Sequence, residues 1–200
     1  MIDSIKKNSL EFFNTNGLPD KKLENWKFTS SKNFKNFSKS SSSIDGIKKI
    51  KSDELSIVFV NGTLDKSSLK SFKYSHLLEV KNLNELNSKK LLHCSKNFFN
   101  ETMFNLGMSE FENGSYLSFK NNSVIKDVIN IKNYFFENEE NKRLSSFNIF
   151  HINEGSEISI IEEDIKENHS IFNLKLNKFI CENSSIFKYG KSFNDDSQTH

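Results

Sequence analysis

The run NEGSEISIIE, Asn153 to Glu162, decides how this chain folds. Its first four residues favour a turn, since Asn and Gly tolerate the backbone angles that turns demand. The remainder alternates: Ile158 and Ile160 point to one side of an extended strand, Ser159 and Ile161 to the other. Three further segments repeat this order of polar turn and short strand, ENGSYLSF from Glu112, NNSVIKDVINI from Asn121 and ENSSIFKYG from Glu182. Between them, in IFNLKLNKF, Phe172, Leu174 and Leu176 share a face.

Short strands behind near-identical turns suggest a β-sandwich or a β-solenoid, in which each coil covers the apolar edge of the one before. The recurrence of the turn favours the solenoid. So does the presence of one obvious Asn-Gly hairpin signal among these segments, at Asn113-Gly114. Residues 112–200 are therefore expected to form the coils.

Upstream the character differs. SIVFVNG, Ser56 to Gly62, reads as a strand ended by a tight Asn-Gly turn. Lys73 to Phe111 mixes strand and helix signals, and the Ser/Lys-rich run over 30–46 reads as a mobile linker. Ile5, Leu10, Phe12 and Phe13 fit one face of a helix over Asp3 to Asn16, with Gly17 as terminator. Pro19 then fixes a corner, Asp20 caps a second short helix, and Leu23 and Trp26 share its face, with Trp26 as the anchor. Residues 1–111 thus read as a small helical and α/β region.

Composition narrows the function. The 200 residues carry 28 Lys+Arg against 26 Asp+Glu, a formal charge of +2, which does not point to nucleic acid. Twenty Phe against four Tyr and one Pro, amid abundant Lys, Asn and Ile, reflect A/T-rich codons, so a Phe or Lys cluster carries little meaning. No apolar run approaches the ~20 residues that cross a bilayer. With only Cys94 and Cys181, and no signal-peptide pattern, a reduced, cytoplasmic setting is the default, and Asn-x-Ser/Thr triplets such as Asn61-Gly62-Thr63 read as unmodified.

The sequence singles out no catalytic, cofactor-binding or metal residue. Phosphate-loop, dinucleotide and zinc motifs are missing from it. His93 and Cys94 are neighbours that project to different sides. Cys181 ends the apolar run Phe179-Ile180-Cys181 and reads as a small buried hydrophobe rather than a thiolate ligand. His151 and His169 have no carboxylate at a telling interval, and Glu162-Glu163-Asp164 reads as a solvated turn. A carbohydrate-active solenoid would repeat acids and aromatics on one outward face, where only Tyr116 and Tyr189 are candidates.

Gly17-Leu18-Pro19 followed by Trp26-Lys27-Phe28-Thr29, then Val58-Phe59-Val60-Asn61-Gly62, then Asn148 to Ser156 with Ile160-Ile161-Glu162, occur in that order. In this the chain resembles the SufD family, scaffold subunits of the SUF system that assembles iron–sulfur clusters. Ser146-Phe147 and Val128 depart from the family pattern, which has Pro-Arg and a proline at these places. The resemblance implies a right-handed parallel β-helix, of which this chain would hold the N-terminal region and first coils, truncated at the C-terminus. It implies a non-catalytic scaffold acting with a SufB-like scaffold and a SufC-like ATPase, in a complex associated with an iron–sulfur cluster and reduced flavin. It transfers no site residue, since the family's contacts and cluster-forming residues lie in its second half. A polysaccharide lyase or hydrolase on a β-solenoid is the alternative.

Overall fold

A computed structural model describes residues 2–24, 27, 31, 34, 36–40, 50, 52–86, 101–136, 141–166 and 171–192. Trp26, Phe28, Thr29, His93, Cys94 and His169 lie outside the described residues, as does most of the 30–46 run.

The protein is β-rich, with two five-stranded sheets of mainly parallel strands and a few short helices. After α1 (Ile2–Asn16) come β1 (Ser38–Lys39), β2 (Ser56–Val60), β3 (Thr63–Leu64), α2 (Lys66–Ser71), β4 (Leu78–Asn82) and α3 (Thr102–Glu110). Six strands follow: β5 (Asn113–Phe119), β6 (Val124–Phe135), β7 (Lys142–Ile152), β8 (Glu157–Lys166), β9 (Ile171–Cys181) and β10 (Ile186–Ser192).

These six alternate between the sheets. In the first, β7 pairs in parallel with β5 and β9; in the second, β8 pairs in parallel with β6 and β10. Each sheet begins with an antiparallel strand, β4 on β5 and β3 on β2, while β2 runs parallel to β6. Strands from both sides of Glu112 therefore share the two sheets. Within the run expected to be a linker, β1 pairs with Lys142–Arg143 of β7, and Phe34 and Phe37 pack at a tilt against Phe172, with ring centroids 4.6 and 5.6 Å away. Two aromatic rings and a strand register thus seat its described residues Phe34 and Phe37 to Lys39, although the Ser/Lys content of the run reads as solvated.

The turn after each first-sheet strand is built the same way. Asn122, Gly155 and Ser184 occupy the left-handed region, with φ of 58, 70 and 55°. Asn122 N donates to Glu154 O at 2.9 Å and Gly155 N to Asn183 O at 3.2 Å, so each turn is bonded to the next. The Ser156 hydroxyl donates to Lys120 O at 2.9 Å, tying two successive turns on the inner side. Asn61 and Gly62 also have positive φ, 47 and 77°, as the hairpin between β2 and β3 requires. Asn113-Gly114 makes no hairpin. Gly114 lies inside β5, where an added Cβ would sit 2.3 Å from Phe147 O and 2.5 Å from Leu83 Cδ1, so the glycine permits close approach of backbones.

Between the sheets lie Ile57, Phe59, Leu117, Phe119, Ile129, Phe150, Ile152, Ile158 and Ile160, each at most 2% exposed. Ile161, one residue on, is 44% exposed, as the alternation in NEGSEISIIE predicts. A second apolar cluster covers the outer face of the first sheet, where Met108 and Phe111 from the α3 region meet Tyr116, Phe147 and Ile149, with Ile2 and Ile5 of α1 against them. Helix α1 ends as its sequence predicts: Gly17, at φ 68°, donates its N–H to Phe13 O at 2.7 Å. Asp20 caps only a tight turn, accepting from Lys22 N at 2.8 Å, and Leu23 beyond it is 49% exposed. No helix among the described residues is long and apolar enough to cross a membrane.

Candidate functional site

The inner face changes character toward the C-terminal ends of β6 and β8. Asn133, Glu162 and Asp164 follow Ile131 and Ile160 at alternate positions, so they project into the space between the sheets. From the opposite sheet, Lys175 and Asn177 of β9 project inward, because Leu174 and Leu176 turn outward beneath α3 and meet Gly107. Tyr189 and Lys191 of β10 complete the group.

The partners are matched closely. The Lys175 ammonium lies 2.7 Å from Glu162 Oε1 and also pairs with Asp164, while Lys191 reaches Asp164 Oδ2 at 3.0 Å. Asn133 Nδ2 donates to Glu162 at 2.8 Å and to Asp164 at 3.1 Å. Asn177 Nδ2 donates to Glu162 Oε2 at 2.9 Å, and the Tyr189 hydroxyl donates to the same oxygen. Glu162 is 1% exposed and the Lys175 side chain 6%. Two carboxylates thus share one buried ammonium and a ring of neutral donors, the compensation that buried charges require. Burial pushes the Asp164 carboxyl up, but the charges of Lys175 and Lys191 outweigh it and leave the group below the ordinary carboxylate range. Burial and then the bond to Glu162 push the Tyr189 phenol well above its usual range. Glu162 and Asp164 are strand residues facing the interior, so the solvated turn expected from their sequence is corrected. An acidic run is assigned to solvent by default, and only its cross-sheet lysine overturns that.

A second constellation lies on the outer face of the first sheet. Tyr116 Oη is 2.5 Å from His151 Nδ1, and His151 Nε2 is 2.7 Å from Glu182 Oε1. An ionised Glu182 carboxylate accepts from Nε2–H, and in that neutral tautomer of the ring Nδ1 accepts from the phenol hydroxyl. Tyr116 is fully buried and edge-on to the imidazole at 5.9 Å. The carboxylate missing from the sequence neighbourhood of His151 arrives one strand later, 31 residues on.

Cys181 occupies the inward position beside Ile152 yet is exposed, which corrects its reading as a buried hydrophobe. Partial burial and the charge of Glu182 push its thiol up against a hydrogen bond from Ser185, so the neutral thiol is favoured. Among the described residues no three His, Cys, Asp or Glu side chains converge on a common point. Of the two tyrosines considered as outward aromatics, Tyr116 is enclosed and Tyr189 bonds inward to Glu162.

No family model matches the chain, and no curated protein matches it. The chemistry available is accordingly that of the side chains themselves. In the inner cluster the hydrogen bonds tie β6, β8, β9 and β10 together across both sheets. On the outer face one hydrogen-bonded chain joins β5, β7 and the turn after β9.

Proposed function

We propose that the chain is a non-catalytic scaffold subunit of an iron–sulfur cluster assembly complex, similar to SufD and acting with a SufB-like scaffold and a SufC-like ATPase. The observation that carries the reading is where the family-like motifs fall. Val58 to Gly62 forms β2 and its hairpin turn, and Asn153 to Ser156 forms the turn that hands the chain from one parallel sheet to the other. On this reading β5 to β10 are successive coils of a right-handed parallel β-helix, whose rigid stacked turns present strand edges to partner subunits. The hydrogen-bonded links across rungs suit a part that must hold shape while an ATPase moves its neighbours.

The alternative, a polysaccharide lyase or hydrolase, asks for carboxylates in an open groove. Glu162 and Asp164 instead face the interior and are held by lysines, so no observation favours that reading. Depleting the chain in its own cells tests the scaffold role. Iron–sulfur enzymes should lose activity while enzymes without clusters keep theirs. Undiminished iron–sulfur enzymes in depleted cells would remove the proposal.

A further inference from the structure

We propose that the cleft where the two sheets begin binds a small organic acid, with its carboxylate on a polar wall and its apolar body against the core. The cleft measures about 370 Å³, within the range of small-molecule sites, and lies between the edge strands β3 and β4. Its position follows from the register. Val80 and Asn82 of β4 stand opposite Leu117 and Ser115 of β5, so all four face the interior that Leu117 fills. Leu64 of β3 stands opposite Phe59 and faces the same interior from the other sheet. Leu64, Val80 and, from α2, Leu69 therefore form the apolar side of the cleft, each packed against the main core and only partly buried.

The polar side carries donors that no described residue uses. Ser115 is only 6% exposed and its backbone N–H donates to Asn148 Oδ1 at 3.2 Å, but its hydroxyl has no hydrogen-bond partner among the described residues. A hydroxyl so enclosed ordinarily has one. Asn82 accepts from Asn84 N at 3.2 Å with its side-chain oxygen, which leaves its amide nitrogen over. Two lysines stand at the cleft. Lys81 is held by Glu79 at 2.5 Å, whereas Lys66, exposed at the start of α2, has no ion-pair partner among the described residues. Asp65 beside it is engaged in capping α2, and Glu85, the acid of the lining, turns Oε2 back to accept from Asn82 N at 3.3 Å. Hydroxyl, amide and ammonium thus line one cleft as unused donors, the complement of a carboxylate. A single unpaired cation matches a monoanion rather than a doubly charged phosphate, and the leucines and Val80 give its body an apolar contact that an inorganic ion cannot use.

Octanoate is the probe, titrated into the isotopically labelled 200-residue chain and followed by amide chemical shifts. Saturable shifts with a Kd below about 1 mM should centre on Val80, Asn82 and Ser115. Octanol keeps the apolar body without the charge, acetate keeps the charge without the body, and inorganic phosphate doubles the charge; each should bind at least about tenfold more weakly. Lys66→Glu should weaken octanoate about fivefold or more, whereas Lys70→Glu, the same charge change one turn along α2 and outside the cleft, should alter it less than about twofold. Both lysines are exposed, so these variants keep the fold. Ser115→Ala should weaken octanoate and leave octanol unchanged; where it lowers the melting point, the lysine pair decides. No saturable shift up to about 10 mM, octanol or phosphate binding as tightly as octanoate, shifts centred away from the cleft, or equal effects of the two lysine variants each overturns the proposal. The cleft stands apart from the scaffold reading, since the titration involves no cluster and no SUF protein.

Discussion

Lys175 holds two carboxylates in a space that water hardly reaches, and its removal leaves both without their main cation. Lys175→Met should therefore cost ~3–5 kcal/mol in urea denaturation, the range for breaking a buried ion pair. Adding Glu162→Gln and Asp164→Asn should restore much of the loss, because the uncompensated charge, rather than the missing attraction, dominates. The pH response follows from the same groups. Asp164 is depressed in the folded chain, so its contribution is present above the ordinary carboxylate range and disappears as pH falls through the lowered folded value. The denaturation midpoint should drop there, less steeply in Asp164→Asn. Tyr189 is raised, so its contribution is present below the ordinary phenol range and is lost as pH climbs beyond it; Tyr189→Phe should lack that alkaline decline. None of this is legible along the chain. Asp164 and Lys175 stand 11 positions apart and Asn133 and Glu162 29, and nothing in their neighbourhoods states that two sheets will bring them together.

Elements were more legible, for a reason that also shows where reading fails. NEGSEISIIE declares its turn and both faces because one face is apolar and the other is not. Strand β9 also declares a shared face, Phe172, Leu174 and Leu176, but that face turns outward to α3 and the Phe34–Phe37 stretch, while Lys175 and Asn177 face the interior. Hydrophobicity identifies a covered face without saying which layer covers it. Asn113-Gly114 misleads in the same way, since Gly114 serves closeness rather than a turn. Gly114→Ala should cost about 1–3 kcal/mol by thermal denaturation, because both Phe147 O and Leu83 must give way. Gly155→Ala combines a left-handed backbone with a Cβ 2.3 Å from Asn122 Oδ1. It should cost about 1–2 kcal/mol, and less in an Asn122→Gly background, where only the backbone term remains.

Across the whole molecule, cohesion falls from rung to rung. Strand β7 is bounded by β5 and β9 and covered by α3, and β8 by β6 and β10, whereas β10 has one described neighbour and four of its side chains, Ile186, Lys188, Tyr189 and Lys191, are exposed. Amide exchange should therefore be slowest at Leu117, Ile149 and Ile160 and fastest at Tyr189 and Lys191, since protection follows burial and pairing on both sides. Uniform protection through β10 would contradict a graded stack.

The chain Tyr116, His151, Glu182 draws one ring from β5, one from β7 and a carboxylate from just beyond β9. A one-residue shift of β9 would move Glu182 by about 3.3 Å, enough to strip the imidazole of its acceptor. The two ring nitrogens of His151 then become a built-in gauge: a single pair of nitrogen resonances, sensitive to which atom holds the proton, reports whether three separate strands have all locked into alignment.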